Sequence, residues 1–195
     1  MFFAIHSQKK PILVIIFALL LGLGVFVYFY NQEESADSIP QKITNFDECV
    51  EAGNPIMESY PEQCRTEDGE HFVRDIGNEL EKSDLVRISS PRPGSAVESP
   101  LTIEGEARGY WYFEATFPVV VTDWNGQIIG EGYVEALDEW MTEEFVPFQG
   151  EITFNISQIQ GNYSERGTLI LQKSNASGLP EHDDVLEIPI EFAEF

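Results

Sequence analysis

The residues best suited to binding form one aromatic run, Tyr110–Trp111–Tyr112–Phe113, which Glu114 follows directly. Aromatic rings at this density are typical of surfaces that bind sugars or peptides. If the run is a strand, Trp111 and Phe113 share one face and the two tyrosines share the other. The platform hypothesis leaves one set exposed and predicts a binding site of five residues, Tyr110, Trp111, Tyr112, Glu114 and Trp140. The competing hypothesis is that all these rings are packing, with Trp140 covering an open end of the domain.

Patterns that mark an enzyme are absent from the sequence. It contains no GxSxG, HExxH, P-loop or GxGxxG motif. The three histidines, His6, His71 and His182, fall in different parts of the chain, so a Ser-His-Asp triad has no local signature. His182 precedes two aspartates, but a lone histidine among acids is more typical of a turn than of a metal site. We therefore expect a non-catalytic protein without a cofactor or a specific metal site.

The charge of the chain is strongly acidic and one-sided. There are 34 acidic against 11 basic residues, and every acid lies after residue 30. Such a field repels nucleic acid, which excludes DNA or RNA as a partner. Two interpretations stay open: the charge keeps an exposed domain soluble, or it binds Ca²⁺ loosely without a defined motif.

Residues 11–30 carry no charge and are almost entirely apolar. A helix of this length spans about 30 Å, the thickness of the hydrocarbon core of a bilayer. Lys9 and Lys10 precede it and acids follow it, so the positive-inside rule places the N-terminus in the cytoplasm. The alternative is a cleaved signal peptide, but the apolar segment is long for one and no small-x-small site follows it closely. The expected location is therefore the cell membrane, single-pass, with the bulk of the chain extracytoplasmic.

The only two cysteines, Cys49 and Cys64, lie in a short segment after the span. An even pair outside the cytoplasm predicts one disulfide. A segment of this length buries little core, so a covalent link supplies stability that packing does not. The predicted organisation is a tail at 1–10, the span at 11–30, an acidic stalk at 31–45, a disulfide-stapled segment at 46–75, a linker or helical turn at 76–84 and a β domain at 85–195.

Alternating apolar residues in the last part of the chain predict strands with one buried face. The clearest runs are LTIEGEA (101–107), FEATFPVVVT (113–122), EITFNI (151–156) and LEIPIEF (186–192). Phe113 and Ala115 are expected to share the inward face of the second run with Phe117. Pro189 lacks a ladder donor, which places the last strand at an edge or a bulge. Asn125–Gly126 predicts a hairpin rather than a calcium loop. About seven short strands predict an all-β, immunoglobulin-like antiparallel sandwich.

Two stretches of the chain resemble known families. The first is similar to a two-cysteine motif of bacterial exported proteins, matched at Cys49, Gly53, Pro55, Pro61, Cys64, Asp68, Gly69 and Phe72. Residues 85–193 resemble the immunoglobulin-like domain of bacterial spore germination. The matching residues are Ser90–Pro91, Pro93–Gly94–Ser95, Ser99–Pro100–Leu101, Gly105, Ala107, Trp111, Phe113–Glu114, Phe117, Asp123, Gly126, Trp140–Met141–Thr142 and Pro147–Phe148, and the stretch 173–192 fits the last strands.

The second resemblance implies a two-sheet β-sandwich that takes part in extracellular interactions of bacteria. Together with the predicted span at 11–30, it leads us to expect a membrane-anchored, non-catalytic interaction module of the bacterial envelope. The partner would be an envelope protein, or alternatively a cell-wall carbohydrate bound by exposed aromatic rings.

Overall fold

The computed structural model describes residues 42–158 and 164–193. The predicted tail, the predicted span at 11–30 and most of the predicted stalk lie outside this part. Within the described residues, no helix is long and apolar enough to cross a membrane. These residues fall almost entirely in one compact unit, Thr44–Phe195.

The described chain is all-β apart from a few short helices. Helices α1 and α2 span Phe46–Glu51 and Glu79–Lys82, and 3-10 turns span Gly109–Trp111, Ile156–Gln158 and Pro180–His182. The strands are β1 (Ile56–Met57), β2 (Gln63–Arg65), β3 (His71–Val73), β4 (Val86–Ser90), β5 (Ala96–Val97), β6 (Leu101–Arg108), β7 (Thr116–Asp123), β8 (Ile128–Ala136), β9 (Phe145–Ile152), β10 (Arg166–Gln172) and β11 (Val185–Phe192).

The predicted disulfide is confirmed, and it lies within a small module. Asn45 begins α1, because its side-chain oxygen accepts a hydrogen bond from the Glu48 amide at 2.9 Å. Cys49 of α1 is bonded to Cys64 of β2, with their Cα atoms 6.1 Å apart and both side chains fully buried. Strands β1, β2 and β3 form an antiparallel sheet around this link. The bond closes a loop of 15 residues, which could contribute about 3 kcal/mol.

The larger sheet folds over on itself to form the two layers of a sandwich. Its strand order is β4-β6-β9-β8-β7-β10-β11-β5, and β8 pairs with both β9 and β7. The inward faces of both halves contribute to a single core. Across that core, the rings of Phe117 on β7 and Phe148 on β9 meet edge to face, with their centroids 5.0 Å apart. The all-β prediction is confirmed, and the layout is consistent with an immunoglobulin-like sandwich.

Most of the predicted inward positions are correct. Ile103 on β6 and Ile188 on β11 are fully buried, as the period-two pattern requires. The predicted hairpin joins β7 to β8, where Gly126 adopts a φ of +79° and the side-chain oxygen of Asp123 accepts hydrogen bonds from the amides of Asn125 and Gln127. The prediction fails at the start of the second run, because β7 begins only at Thr116.

Strand β11 lies at an edge where Pro189 occurs, as predicted, and other segments cover that edge. Strand β5 pairs with β11 only at Glu191 and Phe192. Further along, the Asn78 side chain accepts a hydrogen bond from the Glu187 amide and donates one to the Val185 carbonyl, at 2.8 and 3.1 Å. The predicted linker therefore caps β11 in the manner of a neighbouring strand.

A polar cluster joins the disulfide module, α2 and the sandwich. The Arg92 guanidinium donates to Glu79 of α2 at 2.8 Å and to the Tyr60 hydroxyl of the module at 2.6 Å. The Tyr60 hydroxyl in turn donates to Glu79. Loss of water around this hydroxyl, together with its hydrogen bond to Glu79, raises the pKa of Tyr60 from 10.0 to about 12.

We predict that this cluster makes folding stability sensitive to alkaline pH. Between pH 10.0 and about 12 the unfolded chain loses the Tyr60 proton while the folded protein keeps it, so stability falls as the pH rises. Tyr60→Phe removes this contribution. Urea unfolding at increasing pH should therefore show a smaller loss for Tyr60→Phe than for the wild type. The control is Tyr110→Phe at a half-exposed tyrosine; parallel curves for Tyr60→Phe and wild type would contradict the prediction.

Candidate functional site

Three connections meet at one end of the sandwich and form what we call the loop end: residues 109–115, 137–144 and 173–184. Backbone hydrogen bonds join them. The Gly109 amide donates to the Glu144 carbonyl at 3.1 Å, and the Ser174 amide donates to the Trp111 carbonyl at 3.0 Å. Gly109 is required here, because a Cβ atom at this position would lie 2.0 Å from the Thr142 carbonyl oxygen. The loops thus support one another instead of moving independently.

The aromatic run is divided between this end of the core and its surface. Trp111 is fully buried and Tyr112 is 4% exposed. The Tyr112 hydroxyl donates to the Val146 carbonyl at 2.8 Å, and burial raises the pKa of this phenol. The exposed-platform hypothesis is therefore wrong for Trp111 and Tyr112. The physical reason is the 3-10 turn at Gly109–Trp111, which replaces the alternation of a strand and turns two consecutive rings inward.

The other predicted site residues lie nearer the surface. Tyr110 is 50% exposed and Glu114 is exposed, whereas Trp140 is half-buried and packs against the core. Phe113 is 48% exposed. The structure therefore brings Tyr110 and Glu114 to one surface with Phe113, while Trp140 packs against the core at the same end.

A strained turn presents this surface. Glu114 and Ala115 have φ values of 53° and 63°, in the left-handed region that ordinary residues disfavour. Phe113 and Thr116 close the turn through two backbone hydrogen bonds of 3.0 and 3.1 Å. The Ala136 amide holds it from outside by donating to the Ala115 carbonyl at 2.8 Å. Strain retained by surrounding contacts is characteristic of functional surfaces.

Sequence reasoning missed several exposed apolar residues of the loop end, among them Met141 and Leu179. These two are 73% and 49% exposed. Each is an apolar residue isolated in an acidic loop, so burial on a strand face does not account for its presence. This isolation was the signal in the sequence that could have identified them. With Tyr110 and Phe113, they form the apolar set of the loop end.

The loops that carry the apolar set are rich in acidic side chains. The acids of the three loops are Glu114, Asp138, Glu139, Glu143, Glu144, Glu181, Asp183 and Asp184. Asp184 is paired with Lys82, and the Glu144 carboxylate lies 3.8 Å from the Arg108 guanidinium. The described residues contain no group of three or more potential ligands that could hold a metal ion. His182 instead contacts the Ser177 hydroxyl through Nδ1 at 2.9 Å, within its own turn.

Comparison with known proteins supports the assignment of the sandwich. Residues 85–170 match the family model of the immunoglobulin-like domain of bacterial spore germination, which confirms the resemblance over that range. The match ends within β10, so β11 and its capped edge lie beyond it. No curated protein and no solved structure matches the chain significantly. The matched family is not a known enzyme family.

We predict that Ala115→Gly stabilises the protein by about 0.5–1 kcal/mol. Glycine adopts a positive φ without strain, and this gain exceeds the added entropy of the unfolded chain. The matched control is Ala136→Gly in β8, where glycine should lower the free energy of unfolding by a similar amount. Urea unfolding measures both. Destabilisation by both substitutions would show that the turn is not strained.

Proposed function

We propose that this protein is a non-catalytic interaction module that works outside the cytoplasm and binds an envelope protein through its loop end. The observation that carries the proposal is the apolar set, Tyr110, Phe113, Met141 and Leu179, held exposed on mutually bonded loops. Interacting loops at the end of a β-sandwich are a common binding arrangement. Because the loops are already ordered, little conformational entropy is lost on binding.

The acidic charge of the loop end restricts the classes of partner that it can bind. Acids around an apolar centre favour a protein with an apolar pocket and a basic rim. The same charge disfavours anionic polymers and anionic lipid surfaces. Attraction between rim charges mainly affects the association rate and is screened by salt.

The proposal includes a tether to the membrane through residues 11–30. It is supported by the length and flanking charges of that segment. The compact unit begins far from the loop end, since the Asp47 carboxylate of α1 lies 3.8 Å from the guanidinium of Arg166 at the opposite end of β10. A tether attached there would leave the loop end free for a partner.

We expect the full chain to sediment with membranes and to resist extraction by salt and alkali. Deletion of residues 1–30 should release it, because the apolar segment is lost. The mass of the membrane-bound protein distinguishes an uncleaved anchor from a cleaved signal peptide. A mass that includes residues 1–30 supports the anchor. A shortened, soluble product would contradict the anchor and support a signal peptide.

Binding by the loop end is tested with the soluble fragment 31–195, which contains the whole compact unit and its core. We expect Phe113→Ser and Met141→Ser each to reduce capture of an envelope protein about tenfold, as for loss of a central apolar contact. Higher salt should weaken capture further.

The matched control is Ile128→Ser, which removes a similarly exposed apolar side chain from the opposite end of the sandwich. It should leave capture unchanged. Equal losses from Ile128→Ser and Phe113→Ser would indicate nonspecific adhesion, and capture insensitive to both loop-end substitutions would contradict the proposal.

A further inference from the structure

A shallow groove of about 530 Å³ crosses the outer face of the sandwich, and its lining includes none of the apolar set of the loop end. Its lining comes from three adjacent strands, β6, β8 and β9, and from the residue that follows β8. The lining residues are Thr102, Tyr133, Glu135, Leu137, Gln149, Gly150 and Glu151. The volume falls within the usual range of small-ligand sites.

The groove lies where β8 passes from one layer of the sandwich to the other. Strand β8 pairs with β9 only over Val134–Ala136, while its pairing with β7 continues past Tyr133. Gly150 permits this close crossing, because a Cβ atom there would lie 2.6 Å from a Val134 methyl carbon. The ladder between β8 and β9 ends at Val134, although the chain that follows β9 stays beside β8, where the Asn155 amide donates to the Ile129 carbonyl at 3.1 Å. Tyr133 is the first residue of β8 outside that ladder.

Tyr133 is the prominent aromatic side chain of the groove. It is 65% exposed, and Leu137 on the other side of the lining is 62% exposed. Tyr133 belongs to a regular strand, and its position opposite Pro118 of β7 places it on the outer face. Its ring is therefore held on a rigid element, unlike a side chain on a mobile loop.

The remaining lining is polar and arranged to accept hydrogen bonds. The Gln149 amide nitrogen donates to Glu104 at 2.7 Å, which holds this side chain across the strands. Glu135 and Glu151 are both exposed and contribute carboxylate oxygens, which only accept. No lysine or arginine is among the lining residues. An anionic ligand is disfavoured here, whereas a ligand rich in hydroxyl donors is well matched.

We propose that this groove binds a neutral pyranose chain. One sugar face, which presents C–H groups, stacks on the Tyr133 ring, and its hydroxyls donate to Glu135 and Glu151. Leu137 contacts the next unit of the chain. A protein partner fits less well, because the two exposed carboxylates of the lining would lose water without a matching cation.

This site shares only Leu137 with the loop end and shares no residue with the carbohydrate platform predicted around Trp111 and Tyr112, which are both buried. That platform depended on several rings in succession along the chain. The groove instead offers one isolated ring, Tyr133, with hydrogen-bond acceptors from neighbouring strands. The residues substituted to test the groove differ from those substituted to test the loop end, so the two proposals can fail independently.

The experiment titrates fragment 31–195 with two soluble probes, the hexamers of N-acetylglucosamine and of glucose, and follows amide chemical shifts. At least one hexamer should bind, with shifts centred on β8 and β9. Tyr133→Ala should weaken binding about tenfold or more, while Tyr133→Phe should stay within about threefold, because the ring is kept. Ile128→Ala on the same strand is the matched control and should bind like wild type.

A hexamer of galacturonic acid tests the role of charge and should bind at least about tenfold more weakly than the better neutral probe. The proposal is overturned if neither neutral hexamer binds up to millimolar concentration, or if Tyr133→Ala binds like wild type. It is also overturned if Tyr133→Ala abolishes capture of the envelope protein while no sugar binds, since the groove would then be part of a protein interface.

Discussion

The constraint on which the rest of the structure depends is the need to cover the exposed edge of β11. An open edge presents unpaired backbone groups that invite pairing with another chain. Pro189 cannot donate from that edge, yet its carbonyl still needs a donor and receives one from the Gly94 amide at 2.8 Å. Asn78 supplies further partners from its side chain and from its backbone amide, which donates to the Glu187 carbonyl at 3.3 Å. Covering the edge therefore fixes the segments on both sides of β4.

The segment that covers the edge of β11 also determines where the disulfide module lies. Gly77 adopts a φ of +62°, and a Cβ atom there would lie 1.9 Å from the Glu187 carbonyl oxygen. The chain can therefore approach β11 closely only with glycine at this position. Next along the chain, Glu79 of α2 meets Arg92 and Tyr60. The disulfide stabilises the module internally, while this cluster attaches it to the sandwich, so covalent and noncovalent constraints have different roles.

Local patterns predicted much of the fold, whereas contacts between distant residues decided the rest. The inward residues of β6 and β11, the hairpin at Gly126 and the disulfide follow from signals within short stretches of sequence. The partners of Asn78 could not be predicted, since they lie 107 and 109 residues away. The aromatic run lies at the loop end of the sandwich, and exposure within it depended on a 3-10 turn and a strained turn. The sequence did not indicate a site at Tyr133. The groove beside it depends on how β8 pairs with β7 on one side and with β9 on the other.

Most of the basic side chains after residue 30 are already paired with acids. Six of the nine basic residues after residue 30 form ion pairs within the fold. Such pairs contribute little to stability when exposed, but they neutralise the few cations that could attract an anionic partner. The groove and the loop end then both lie in a negative field. The same negative charge that disfavours self-association would disfavour anionic polymers at both proposed binding surfaces.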